Sequence, residues 1–74
     1  MNFDVICSRG ANAYLVRRDD EYCMVNLVTG KYNANKEPGV FLKLGYFEDV
    51  DQLSPEVLAK IAAILEYPDR RIEI

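Results

Sequence analysis

The chain has 74 residues, 50% of them hydrophobic, 28% charged and 11% aromatic, with nine basic and twelve acidic side chains, no His and no Trp. Without histidine, the Ser-His-Asp and Cys-His nucleophile arrangements, the H-E-x-x-H metal site and imidazole pH switches are closed to it. Folding at this length buries roughly 60% of the chain's surface, so there is one thin core and a ligand is expected at a surface groove or a subunit interface.

The two thiols, Cys7 and Cys23, form no C-x-x-C motif and, without histidine, cannot complete a tetrahedral zinc site unless carboxylates join. One bridge between them is the single disulfide the composition allows. Met1 leads directly into Asn2, Phe3 and Asp4, without a basic stretch or an apolar leader, and no N-x-[ST] acceptor occurs. The reading is a cytoplasmic protein with reduced thiols and Cys23 buried on a strand. No apolar run approaches the ~20 residues of a membrane-spanning helix. No linker, low-complexity tract or repeat interrupts the chain, so residues 1–74 are expected to form one domain.

Residues 3–7 read as a first strand closed by a turn at Ser8, Arg9 and Gly10. Strands over 13–18 and 22–28 follow, joined by the acidic turn Asp19-Asp20-Glu21. With Asp19 and Asp20 as the loop, Arg18 falls opposite Glu21 as an ion pair. Val16 then meets Cys23, Tyr14 meets Val25, Arg17 meets Tyr22 and Leu15 meets Met24. Both sheet faces are then partly apolar, which calls for a helix on one and a partner or returning strand on the other. Gly30 closes a second turn before a strand over 31–34, and the Asn- and Pro-containing stretch 33–39 reads as a loop. Residues 40–47 alternate as a strand, with Val40, Leu42, Leu44 and Tyr46 on one face and Phe41, Lys43 and Phe47 on the other.

A helix is predicted over 55–66. Ser54 suits the N-cap, Pro55 the first helical position and Glu56 the first turn, while Leu53 and Leu58 fit a hydrophobic staple. Val57, Leu58, Ile61, Ile64 and Leu65 make one apolar stripe, Glu56 and Lys60 an i,i+4 pair, and Pro68 ends the element. Residues 71–74 alternate as a short terminal strand. The expected fold is α+β: an antiparallel meander of four to five strands with one C-terminal amphipathic helix packed on it. The glycine spacing matches no dinucleotide or phosphate loop.

Three residue groups stand out as candidate sites. The acidic run Glu48, Asp49 and Asp51 precedes the helix N-cap, where negative charge is favoured by the exposed N–H groups and the dipole; it lacks the spacing and glycine of a calcium loop. Cys7 beside Arg9 is the one candidate for an activated thiol, but no general base accompanies it. Tyr14, Tyr22, Tyr32 and Tyr46 fall on predicted strands beside Arg17, Arg18, Lys31 and Lys43, an arrangement that stacks and steers single-stranded nucleic acid.

Charge tempers that reading. Residues 1–43 carry six basic and five acidic side chains, whereas 44–74 carry three and seven, so the chain is acidic mainly in its helical half. A rigid surface with aromatic anchors and a charged rim fits protein recognition better. The expected function is therefore stoichiometric, non-enzymatic protein binding of a regulatory, inhibitor or accessory type, in keeping with small phage- or plasmid-encoded proteins. The expected contact residues are Tyr14, Arg17, Arg18 and Tyr22 on the sheet and Glu48, Asp49 and Asp51 on the acidic loop. The alternative is single-stranded nucleic-acid binding on the sheet. No catalytic residue, metal or cofactor is expected, nor a membrane. The terminal strand beginning at Arg70 and Arg71 offers an edge for a second copy.

Overall fold

The computed structural model describes residues 2–72. It contains strands β1 (Asp4–Arg9), β2 (Ala13–Arg18), β3 (Glu21–Asn26) and β4 (Lys31–Asn35), a short helix α1 (Gly39–Leu42), strand β5 (Glu48–Asp49), the main helix α2 (Pro55–Glu66) and strand β6 (Arg71–Ile72). The fold is the α+β arrangement expected, one sheet with order β5-β1-β2-β3-β4-β6. Four strands form an antiparallel meander, and the chain then adds β5 antiparallel to β1 and β6 parallel to β4.

The β2–β3 hairpin has the register read from its acidic turn: Arg18 opposes Glu21, Arg17 Tyr22, Val16 Cys23, Leu15 Met24 and Tyr14 Val25. Asp19 takes φ 56, the left-handed conformation a two-residue hairpin turn needs and short polar side chains tolerate. The ion pair expected beside the turn does not form. Glu21 pairs instead with Arg71 at 3.2 Å, and Arg18 turns inward to α2.

One face of the sheet carries the main core. Tyr14, Val16, Cys23, Val25, Tyr32 and Ala34 pack against Ile61, Ile64 and Leu65 of α2. The helix begins where its signals placed it, with the Ser54 hydroxyl accepting from the Val57 N–H at 3.2 Å and Lys60 paired with Glu56 at 3.9 Å.

Three local expectations are corrected. The first strand continues through Ser8 and Arg9, and the turn falls at Gly10, whose φ of 71 suits glycine. The second is β3, which ends at Asn26: its side-chain oxygen accepts from the N–H groups of Val28 and Thr29, so Leu27 and Val28 belong to the turn.

The third concerns residues 40–47, which are not a strand. Pro38, at φ −64, opens a helical turn in which the N–H groups of Phe41 and Leu42 donate to its carbonyl, and the chain runs on as a loop to β5. An apolar run such as Val-Phe-Leu-Lys-Leu fits period 2 and period 3.6 alike, and here burial of Phe41 settled the choice. Of the terminal strand expected over 71–74, Arg71 and Ile72 pair with β4, and residues 73 and 74 lie outside the described residues.

Candidate functional site

Side chains alternate across a strand and cross-strand partners share a face, so the register sorts the candidate residues. Tyr14, Arg18 and Tyr32 face α2. Leu15, Arg17, Tyr22, Met24, Lys31 and Asn33 face the other way and form what is here called the outer face. The sheet residues Tyr14, Arg17, Arg18 and Tyr22 therefore do not converge on one surface.

Tyr14 is buried in the core, its hydroxyl donating to the Ala11 carbonyl at 3.3 Å. Tyr32 is 3% exposed and lies under the Arg18 guanidinium, 5.5 Å from the ring centroid. With these two rings in the core, the four tyrosines make no common stacking surface. Arg17 remains exposed on the outer face, and Tyr22 is half-buried there.

The acidic residues sit at the opposite edge. Glu48 and Asp49 form β5, opposite Ser8 and Cys7, and both are exposed. Asp51 is exposed in the following loop and, with Asp4, Phe3, Val5, Leu53 and Leu58, lines a shallow cleft of about 290 Å³ beside the start of α2. Among the described residues no three acidic or thiol side chains are grouped closely enough to hold a metal ion.

The cysteines lie on opposite faces. Cys23 is in the main core, whereas a register shift between Val5 and Cys7 turns Cys7 to the outer face against Leu15 and Phe41; both are free thiols. Burial raises the Cys7 thiol pKa, and the nearby Asp49 carboxylate adds to it, whereas an activated nucleophile needs a lowered value. Arg9, expected to favour the thiolate, instead donates to the Gly45 carbonyl at 3.1 Å.

The outer face is covered in its middle by α1 and the loop after it. Phe41, 4% exposed, packs with Leu15 and Cys7, and Tyr22, Met24 and Phe47 close around them. Three further apolar side chains of the segment are exposed: Leu42 is 46% exposed, Leu44 48% and Tyr46 88%. Between this ledge and the sheet runs a groove of about 240 Å³, lined by Met24, Asn33, Val40, Phe41, Lys43 and Leu44. Sequence patterning missed the groove because it spread these residues over a fifth strand. Comparison with known proteins finds no matching family model, curated protein or solved structure.

Proposed function

We propose that the protein acts by stoichiometric, non-enzymatic binding of another protein, as a regulatory, inhibitory or accessory factor, and that the outer face is its binding surface. The observation that carries this reading is the ledge of Leu42, Leu44 and Tyr46, three large side chains left exposed in one short segment. Single exposed apolar residues are ordinary, but a contiguous group beside a groove marks an interaction site, and tyrosine is enriched where binding energy concentrates.

Size supports the use of the whole face. A standard interface covers about 800 Å² on each partner, roughly a sixth of this chain's 4972 Å² surface and more than three side chains present. The ledge must then act together with its surroundings, including Arg17 and Tyr22. Backbone conformation adds a further argument: Tyr46 has φ 64, a region where a bulky side chain is strained, yet the residue is 88% exposed and gains little burial to offset the strain.

Photo-crosslinking in a cell lysate, with a photoreactive group at position 46, tests the proposal. A discrete adduct containing one copy of each protein, lost on Leu44→Asp, is the expected result. An adduct pattern unchanged by Leu44→Asp would overturn it.

A further inference from the structure

The outer face also carries a charge signature, visible once every cation of the chain is followed to its partner. Lys36 pairs with Asp20, Lys60 with Glu56 and Arg71 with Glu21. Arg9 donates to the Gly45 carbonyl, Arg18 to that of Leu65 and Arg70 to that of Gly30. Among the described residues this leaves Arg17, Lys31 and Lys43, whose side chains make no ion pair or hydrogen bond, and all three lie on the outer face.

Two of them flank the groove. Lys43 lines it, and Lys31 lies two residues from Asn33 on the same face of β4, opposite Asn26. The strand residues of β2, β3 and β4 that point to this face include no carboxylate. Asp4, on β1, stands opposite Arg17 without closing an ion pair, and Asp49 lies at the far edge of the sheet. An acidic chain thus presents its uncompensated positive charge where its apolar groove opens.

We infer that the partner docks here through an acidic protein segment bearing one large apolar side chain, the apolar group entering the groove and flanking carboxylates meeting Lys31 and Lys43. This deepens, and rests on, the protein-binding reading above. Complementary rim charges of this kind steer encounter and fix register around an apolar anchor. Their reach is short, a screening length of about 8 Å at physiological salt, so a compact segment feels the local cations while the acidic remainder of the molecule is screened from it.

A polynucleotide extends beyond such a patch and stacks on a row of exposed aromatic faces, whereas Tyr14 and Tyr32 are in the core, Tyr22 is half-buried and Tyr46 alone of the four is exposed. A second copy placing its own acidic edge in the groove without the reciprocal contact makes a heterologous interface, which builds rings or open chains and shows as growth of particle mass.

Selection of a random peptide display library on the immobilised protein, followed by titration of the selected peptides in solution, provides the test. Peptides combining a large apolar residue with neighbouring Asp or Glu should be enriched, and Leu44→Asp should abolish their binding. The exposed double substitution Lys31→Glu with Lys43→Glu, verified by an unchanged thermal melt, should weaken them about tenfold or more. Repeating the selection on that double variant should enrich Lys and Arg instead.

Enrichment without acidic bias overturns the inference, and so does a selection that yields no binder. In either case the protein-binding reading survives if Leu44→Asp still removes the crosslinked partner, and falls with the inference if it does not. A single-stranded oligonucleotide bound more tightly than the selected peptides overturns it in favour of nucleic acid. Growth of the particle mass with concentration, suppressed by Lys43→Glu, overturns it in favour of a second copy.

Discussion

The Arg18 guanidinium donates through Nη1 to the Leu65 carbonyl oxygen at 2.6 Å, joining β2 to the last turn of α2 across 47 positions of sequence. Carbonyls in a helix's last turn lack intrahelical partners and favour a nearby cation. The last turn of α2 has no basic residue of its own, so the sheet supplies one. The same guanidinium reaches the Tyr32 hydroxyl at 3.4 Å and lies over that ring.

Removing this link should loosen the helix from the sheet. Arg18→Leu keeps much of the apolar stem and loses the charged donor, for an expected cost of about 1.5–3 kcal/mol. Arg18→Lys keeps the charge without the fork and should lose less. Urea denaturation of the two variants measures the difference, and a loss below about 0.5 kcal/mol for Arg18→Leu would show the link to be incidental.

Phe41 is the anchor of the segment that covers the outer face. Phe-to-Ala changes in cores cost about 3–5 kcal/mol. Phe41→Ala should fall at or below the low end of that range, because the short α1 can collapse or detach without opening the main core around Ile61. Hydrogen exchange should then show amide protection lost over residues 41–45 and kept in β2 and β3. Leu42→Ala, at an exposed neighbour, should stay within about 0.5 kcal/mol of the parent. Equal loss of protection throughout the sheet would mean that the segment and the sheet unfold as one unit.

What could be read in the sequence follows from the range of the forces involved. The β2–β3 register was legible because the turn residues and the apolar pairs specify it together, and a slip of one residue would expose Val16 and Cys23. The start of α2 was legible because Ser54, Pro55 and Leu53 act within one turn of it. Residues 40–47 were not, since their element type depends on Phe41 meeting Leu15, a contact between distant parts of the chain. Even so, the division of that run held in part: Phe41 and Phe47 turn inward, while Leu42, Leu44 and Tyr46 face outward. The candidate site suffered most from this. Alternation places Arg17 and Arg18 on opposite faces, so they could share no surface, and whether Tyr14 faces solvent or helix is decided by which face α2 covers.

The buried thiols give the protein a pH dependence at the alkaline end. Burial raises the Cys23 pKa, with Arg18 opposing, and raises that of Cys7, with the Asp49 carboxylate adding to it. In the folded state both thiols keep their protons to higher pH than in the unfolded chain. Their contribution to stability is therefore complete below the unfolded thiol value of about 8.5 and is lost as pH rises through the folded values. Urea midpoints should hold near neutral pH and fall above that point, and Cys23→Ala should flatten part of the fall. The two proteins differ at this side chain alone, so the difference between the two curves isolates the thiol. An identical slope in the variant would contradict the assignment.

Gly45 and Tyr46 follow one another in the left-handed region, at φ 75 and 64. Glycine adopts this conformation freely, whereas a side chain with Cβ at such a position costs roughly 1–2 kcal/mol, and asparagine relieves part of that cost by local hydrogen bonding. Because Tyr46 is 88% exposed, its replacement removes little packing. Tyr46→Asn should accordingly raise stability by about 0.5–1 kcal/mol, read from the thermal or urea midpoint. The same substitution removes the ring of the ledge and, with the photoreactive group moved to position 42, should weaken the partner adduct that Leu44→Asp abolishes. A gain in stability together with a loss of binding would mean that the fold gives up stability at this position for the sake of the surface it presents. If Tyr46→Asn leaves the adduct intact, the ring belongs to the loop alone and the binding surface reduces to Leu42, Leu44 and the groove.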